Sequence, residues 1–161
     1  MKKLILLLGC LVFAQSNEVS IQDIKCQKAS KEVCGYDSWD CSALKCFIQT
    51  ESLELAYQLY FEYLIQNEKR FSKERGEKEE NNLSLYVYQT MQKFSLPKVS
   101  ENVEIKHNDN QYYLYPSCHC VIKRTEKNLT LEFNKCQSEN NVIIFKKEKN
   151  GFKITDKTET M

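Results

Sequence analysis

Residues 50–76 read TESLELAYQLYFEYLIQNEKRFSKERG, and this stretch decides the fold because it has the pattern of one long amphipathic helix. Thr50 and Ser52 are residue types that cap a helix N-terminus, and Gly76 is the type that ends a helix. Leucine, phenylalanine and tyrosine fill an apolar arc that is wider than the stripe of a surface helix. A polar strip recurs at every fourth position, namely Glu54, Gln58, Glu62 and Gln66. The pattern predicts a helix over about 51–75 that other elements cover on two sides.

A second pattern, with a period of two, runs through the C-terminal part of the chain and is typical of half-buried β-strands. The alternation of apolar and polar residues is clean over Leu129–Phe133 and recurs on both sides of that segment. Asn150-Gly151 separates the last two apolar segments and is a strong signal for a hairpin turn. The pattern predicts an antiparallel meander of five or six strands over residues 99–156.

The segment between these two regions, residues 83–96, fits both periods. Leu83 and Val87 lie on one side of the segment at the spacing of a strand, and they also fit the spacing of one face of a helix. The glutamines and lysine that follow favour a helix, which Pro97 closes. Helices first and strands afterwards indicate an α+β protein, with the long helix across one face of the sheet.

The segment before the long helix, residues 20–48, carries two helix-like patterns. Ser20 with Asp23 resembles a capping box, and Asp37 or Ser38 is suited to cap a second helix. We therefore expect two disulfide-linked helices in this segment, arranged as a hairpin that supplies the second cover over the long helix.

The first sixteen residues have the form of a secretory signal peptide, because two lysines precede a short apolar run that ends in small and polar residues. The run is too short to span a bilayer, and no later apolar run approaches the required length of about 20 residues. Residues 17–161 would then form a single cysteine-rich domain, secreted or held in the lumen of the secretory pathway. An alternative is lipid attachment at Cys10, because Leu7-Leu8-Gly9-Cys10 fits a bacterial lipoprotein cleavage site.

Removing the two lysines of residues 1–16 takes the formal net charge from +1 to −1. This balance argues against nucleic acid as a partner, because phosphate binding requires an excess or a patch of basic residues. The sequence has no stretch of like charge long enough to change this expectation.

Seven cysteines remain after the signal peptide, and in a secreted chain they predict a disulfide framework. They are Cys26, Cys34, Cys41, Cys46, Cys118, Cys120 and Cys136. A nested pairing of Cys26 with Cys46 and of Cys34 with Cys41 would join the two N-terminal helices. Among the other three, one pair can form between Cys136 and either Cys118 or Cys120. One thiol is then left, either buried as an inert residue or exposed and able to link two chains as a covalent dimer.

No catalytic or metal-binding constellation stands out. Cys118-His119-Cys120 contains residues that zinc accepts, but on a strand the histidine points away from the two cysteines, so we expect disulfides there and no metal. Nothing in the sequence indicates a cofactor, because the four glycines are scattered and form no phosphate-binding loop. Tyrosines are more numerous, and a pocket between helix and sheet could be lined by Tyr57, Tyr60, Tyr63, Tyr113 and Tyr115.

Two sequons for N-glycosylation are present, at Asn82 and Asn128. We expect modification at Asn128 in a eukaryotic host, because this residue lies at a predicted turn between strands. Asn82 is less suited, since it is placed to cap a helix.

The closing segment Val142–Asp156 reads VIIFKKEKNGFKITD and follows a long helix and a run of strands. This hairpin and this element order resemble the cystatin-like and ketosteroid-isomerase-like superfold, whose domains wrap a curved antiparallel sheet around a long helix. The resemblance implies a fold and no activity, because the Gln-Val-Val-Ala-Gly loop of cystatins and a matching Asp/Tyr isomerase set are absent.

Together these patterns favour a secreted, disulfide-stabilised protein that acts by binding another protein or a ligand rather than by catalysis. Two alternatives stay open. One is a small-molecule-binding or hydrolytic enzyme with a tyrosine-lined pocket, and the other is a lipid-anchored envelope protein attached through Cys10.

Overall fold

The long helix is confirmed as α1, Leu53–Arg75, in the computed structural model, which describes residues 19–29, 41–106, 117–134 and 139–160. Ser52 caps its N-terminus, where the hydroxyl oxygen accepts a hydrogen bond from the Leu55 amide at 3.1 Å. Gly76 ends it with a φ of 68°, in the left-handed region that glycine adopts at low cost. The capping residues read from the sequence therefore set both ends of α1.

The ambiguous segment after α1 is a second helix, α2, Leu83–Lys93. Asn82 caps it, because its side-chain oxygen accepts from the Leu85 amide at 2.8 Å. The amide nitrogen of the same side chain donates to the Ser72 hydroxyl at 2.6 Å and to the Glu68 carboxylate at 2.8 Å. This one residue thus joins the start of α2 to the last turns of α1.

Seven strands form one antiparallel sheet, so the prediction of five or six strands was too low. The strands are β1 Lys25–Lys28, β2 Cys41–Ile48, β3 Glu101–Lys106, β4 Ser117–Arg124, β5 Asn128–Asn134, β6 Glu139–Glu148 and β7 Gly151–Thr160. Their order across the sheet is β1-β2-β7-β6-β5-β4-β3, and every neighbouring pair is antiparallel. The predicted meander over 99–156 is present as β3 to β7.

The predicted helical hairpin over residues 20–48 is wrong. Its described parts form a short 3-10 turn, Ile21–Asp23, followed by strands β1 and β2. The physical reason is that β2 pairs along its whole length with β7, which outweighs the weak local helix signals. Residues 30–40, with Cys34 and Trp39, lie outside the described part of the chain.

The core lies between the two helices and one face of the sheet. The sheet contributes residues with 0% exposure that alternate along the strands, namely Cys120, Ile122, Leu129, Leu131, Ile143, Phe145 and Ile154. From α1, Tyr60 and Phe61 are also fully buried, and the Tyr60 ring meets Phe145 edge-on at 5.8 Å. None of the described helices covers the opposite face of the sheet, which we call the open face.

The last hairpin turns at Lys149 and Asn150, one residue earlier than the predicted Asn150-Gly151 pair. Gly151 is already the first residue of β7, where it lies against the end of β2. A Cβ atom at this position would clash with the carbonyl oxygen of Ile48. Glycine is therefore required by the close approach of two backbones rather than by the turn.

One disulfide joins Cys26 to Cys46, which lie directly opposite each other on β1 and β2. This is a pair of the predicted nested arrangement, formed between strands instead of helices. Cys41 and Cys118 are also disulfide-bonded, with partners outside the described residues. Cys120 is a free, buried thiol.

Candidate binding surface

The tyrosines proposed as pocket residues belong to the core. Tyr57 and Tyr60 are 1% and 0% exposed, and both hydroxyl groups already have partners. Tyr57 donates to the Met91 carbonyl oxygen at 2.5 Å, and Tyr60 donates to the Asp156 carboxylate at 2.7 Å. Tyr63 is half-buried and its ring stacks on Tyr60 with centroids 6.0 Å apart. The other two proposed pocket residues, at positions 113 and 115, lie outside the described residues.

The Tyr60 contact shows a buried acid, Asp156, that the sequence did not indicate. Asp156 is 7% exposed, and burial raises the pKa of its carboxyl, while hydrogen bonds from Tyr60 and Asn141 act in the opposite direction. Burial and the Asp156 charge raise the pKa of Tyr60 well above its usual range, so this hydroxyl stays protonated and donates. The available signal was the alternation of Phe152, Ile154 and Asp156, which places the acid on the core face.

A carboxyl with a raised pKa beside a tyrosine is a common feature of acid–base sites. Here, however, both residues are buried, Tyr60 with 0% and Asp156 with 7% exposure. A substrate would have to displace the core to reach them. The arrangement of Tyr60, Asp156 and Asn141 therefore acts as a structural link between α1 and the sheet.

A cleft of about 540 Å³ lies at the other end of the long helix, beside its N-terminus. The Arg124 guanidinium on its wall donates to Glu54 at 2.7 Å and to the Pro97 carbonyl oxygen at 2.8 Å, and it lowers the pKa of Glu54. Lys147 nearby donates to Glu51 at 2.6 Å. No tyrosine lines this cleft, and these two cations already have carboxylate partners.

The Cys118-His119-Cys120 cluster is divided between the two faces of β4. The cysteines are 1% and 0% exposed on the core face, whereas His119 is exposed on the opposite face. Burial, with a smaller effect of the Glu132 charge, raises the pKa of the Cys120 thiol to about 12. This thiol is therefore protonated and a poor nucleophile at neutral pH. The described residues contain no group of three potential ligands placed to hold a metal ion.

The two sequons have opposite surroundings. Asn82 is 8% exposed; its side-chain oxygen caps α2, and its amide nitrogen donates to Glu68 and Ser72 of α1. Asn128 is exposed at the first position of β5, where its backbone N–H and carbonyl oxygen are hydrogen-bonded to Thr125. A sugar on the Asn82 nitrogen would break the link between the helices, whereas one on Asn128 would meet solvent.

No described helix lies over the open face, and six of its described side chains are lysines, namely Lys25, Lys45, Lys123, Lys146, Lys153 and Lys157. The same face also carries the acids Glu104, Glu132 and Glu148. Register places Lys153 opposite both Lys146 and Phe47, and places Lys25 on the far side of Phe47. Lys45 lies two residues before Phe47 on the same side of β2. Three lysines thus flank the half-buried Phe47, and Lys146 lies beyond Lys153 on the next strand. We call Lys25, Lys45, Lys146 and Lys153 the lysine cluster.

Few acids lie beside the lysine cluster, and one of them is Glu148, which is exposed on the same face of β6 two residues after Lys146. No salt bridge to any of its four ammonium groups occurs among the residues that the structure describes. Hydrogen bonds from the Ser20 backbone and hydroxyl lower the pKa of the Asp23 carboxyl, and the nearby Lys25 charge lowers it a little further. Elsewhere on the open face, Lys123 is paired with Glu132 at 2.5 Å. The cluster is therefore a locally cationic surface on a chain of nearly balanced charge.

No protein-family model, curated protein or solved structure matches this chain. Within the described ranges, no helix is both long and apolar enough to cross a membrane.

Proposed function

We propose that this chain is a secreted, disulfide-stabilised binding protein that contacts its partner through the open face of the sheet. The observation that carries the proposal is the open face itself, where the lysine cluster and the exposed Ile144 lie on strands that no described helix covers. A large sheet face of this kind is a ready surface for a partner, whereas the buried Tyr60–Asp156 pair is closed to ligands.

The disulfide framework supports the secretory part of the proposal. Cys26–Cys46 is formed, and Cys41 and Cys118 are bonded as well, which is the usual state of cysteines in an oxidising compartment. The signal peptide of residues 1–16 and cleavage close to Ala14 remain part of the proposal. Cys120 is enclosed by the core, so a covalent dimer through this thiol would require the core to open.

Secretion can be tested by expressing the full chain with its own leader in eukaryotic secretory cells. We expect medium protein that lacks residues 1–16 and carries sugar at Asn128 but not at Asn82. Intact mass before and after glycosidase treatment, with Asn128→Gln and Asn82→Gln as the matched pair, gives the result. A retained leader, or a lipid on Cys10, would overturn the secretory proposal.

Binding through the open face can be tested with two bulky substitutions that leave the charge unchanged. Thr155→Trp places a large ring on the open face between the lysines, and Gln66→Trp places the same ring on an exposed position of α1. We expect saturable retention of the mature protein on cells of its source, lost in Thr155→Trp and kept in Gln66→Trp. Equal behaviour of the two variants, or no saturable retention of the unchanged protein, would refute the proposal.

A further inference from the structure

We infer that the open face binds a linear polyanion, specifically a polysaccharide that bears sulfate or carboxylate groups. The inference rests on the proposed function, since it assigns the chemistry of the partner to the surface proposed above. It starts from an arrangement that is unfavourable in the free protein. Lys146 and Lys153 lie directly opposite each other on neighbouring strands, and like charges in this position destabilise a sheet.

The geometry of the lysine cluster suits an extended anion. Lys146, Lys153, Phe47 and Lys25 form one row perpendicular to the strands, which spans three strand spacings or about 14 Å. Lys45 lies two residues before Phe47 on the same face of β2 and adds a positive charge beside this row. A chain of anionic groups laid along this row would meet successive ammonium groups and relieve their mutual repulsion, with release of counterions.

The composition of the open face favours a polysaccharide over the other polyanions. Lysine ammonium groups are point charges that attract sulfate and carboxylate without selecting a planar, bidentate geometry. Single-stranded nucleic acids bind through several aromatic rings on which bases stack, whereas this row contains only the half-buried Phe47. A membrane surface requires apolar side chains that insert, and Ile144 is the only described open-face residue among the exposed large hydrophobics, at 38% exposure.

An acidic protein partner also fits the open face less well than a polysaccharide, because the face offers few apolar anchors. Protein interfaces depend on a few apolar or aromatic anchors that enter pockets on the partner, and among the described apolar residues of the open face only Ile144 is exposed while Phe47, Val121 and Val142 are half-buried. In the secretory compartment that we propose, sulfated and carboxylated polysaccharides are the polyanions that such a surface would meet.

The test uses heparin as the sulfated probe and hyaluronan as the carboxylate probe, with the folded, oxidised, full mature chain after glycosidase treatment, because a glycan on Asn128 would lie directly opposite Lys146 at the end of the row. The variant Lys146→Gln/Lys153→Gln removes two charges from the row. Lys73→Gln/Lys93→Gln removes two charges from exposed helix positions and is the matched control. We expect the row variant to bind heparin about tenfold more weakly, the control to be nearly unchanged, and the affinity to fall steeply with salt. A second row variant, Lys25→Gln/Lys45→Gln, should reproduce the loss if the first one folds poorly.

Three results would overturn the inference. They are equal losses in the row and control variants, binding of neither probe at physiological salt, or tighter binding to a single-stranded oligonucleotide or to vesicles of anionic phospholipid. The outcome is separable from the proposed function. If Thr155→Trp abolishes retention on source cells while neither polysaccharide binds, the open face is a binding surface for another partner and only this inference fails.

Discussion

The hydrogen bond from Tyr60 to Asp156 can be tested by Tyr60→Phe, which deletes the hydroxyl and keeps the ring. The ring contacts with Phe145 and Tyr63, at centroid distances of 5.8 and 6.0 Å, should survive, so the cost is confined to one buried bond. Hydrogen bonds to charged groups contribute about 1.5–3 kcal/mol, and we expect Tyr60→Phe to lower the free energy of unfolding by that amount at pH 8. The matched control is Tyr57→Phe, which removes a bond to the neutral Met91 carbonyl and should cost about 0.5–1.5 kcal/mol.

The same variant should show a pH dependence of known sign. Burial raises the pKa of Asp156 above its unfolded value, so the native state holds this proton more tightly than the unfolded chain does. Its contribution to stability is therefore present at acid pH and is lost as the pH rises through the native pKa. The bond from Tyr60 favours the ionised form, so its removal should cost more as the pH rises through the native pKa of Asp156.

The assay is guanidinium unfolding of the oxidised protein at several pH values, with the difference between Tyr60→Phe and the unchanged protein plotted against pH. Exposed carboxyls with lowered pKa values, such as Glu54 and Glu77, affect both proteins equally and cancel in this difference. Asp156→Asn in both backgrounds should flatten the plot. A cost for Tyr60→Phe that equals that of Tyr57→Phe at every pH would refute the reasoning.

Three further changes test other parts of the structure. Lys146→Glu should raise the free energy of unfolding by about 0.2–1 kcal/mol at low salt, because it replaces repulsion from Lys153 by attraction, and urea midpoints at two salt concentrations would show it. Gly151→Ala should lower the free energy of unfolding by about 1–3 kcal/mol, because its Cβ meets the Ile48 carbonyl oxygen; an unchanged thermal midpoint would contradict this contact. Cys120 should react with an alkylating reagent only after unfolding, as read by intact mass, and rapid labelling of the native protein would show that the thiol is accessible.

The long helix was predictable because its signals are local. Ser52 and Gly76 mark its ends, and its apolar arc identifies it as a covered element without knowledge of the rest of the chain. The strands β3 to β7 were predictable for a similar reason, since their inward and outward residues alternate along each strand. Their boundaries were less predictable, since β6 and β7 extend over Glu139–Glu148 and Gly151–Thr160, beyond the apolar residues that identify them.

The N-terminal strands could not be predicted, because their conformation depends on a distant partner. In β2 residues of both faces are half-buried, Leu44 on the core face and Lys45 and Phe47 on the open face, so no clean alternation shows. Its strand state comes from pairing with β7. Local cap-type residues therefore suggested helices where long-range hydrogen bonding makes a sheet.

The candidate surface was hidden for the same reason. Lys25, Lys45, Lys146 and Lys153 are scattered along the chain, and only the strand order and register bring them to one place. The Tyr60–Asp156 contact joins residues 96 positions apart and was equally out of reach. Charge counts of the whole chain conceal such a cluster, because acids elsewhere balance it.

The pairing of β2 with β7 also has a consequence for how this protein is made. The first hairpin, with cysteines 20 positions apart, can close and oxidise as soon as both strands leave the ribosome. Its inner edge, however, stays without a partner until the last described strand has been synthesised, and contacts between such distant segments slow folding. An exposed strand edge during that interval invites pairing with other nascent chains. Efficient production should therefore depend on chaperones that shield β2 until synthesis is complete.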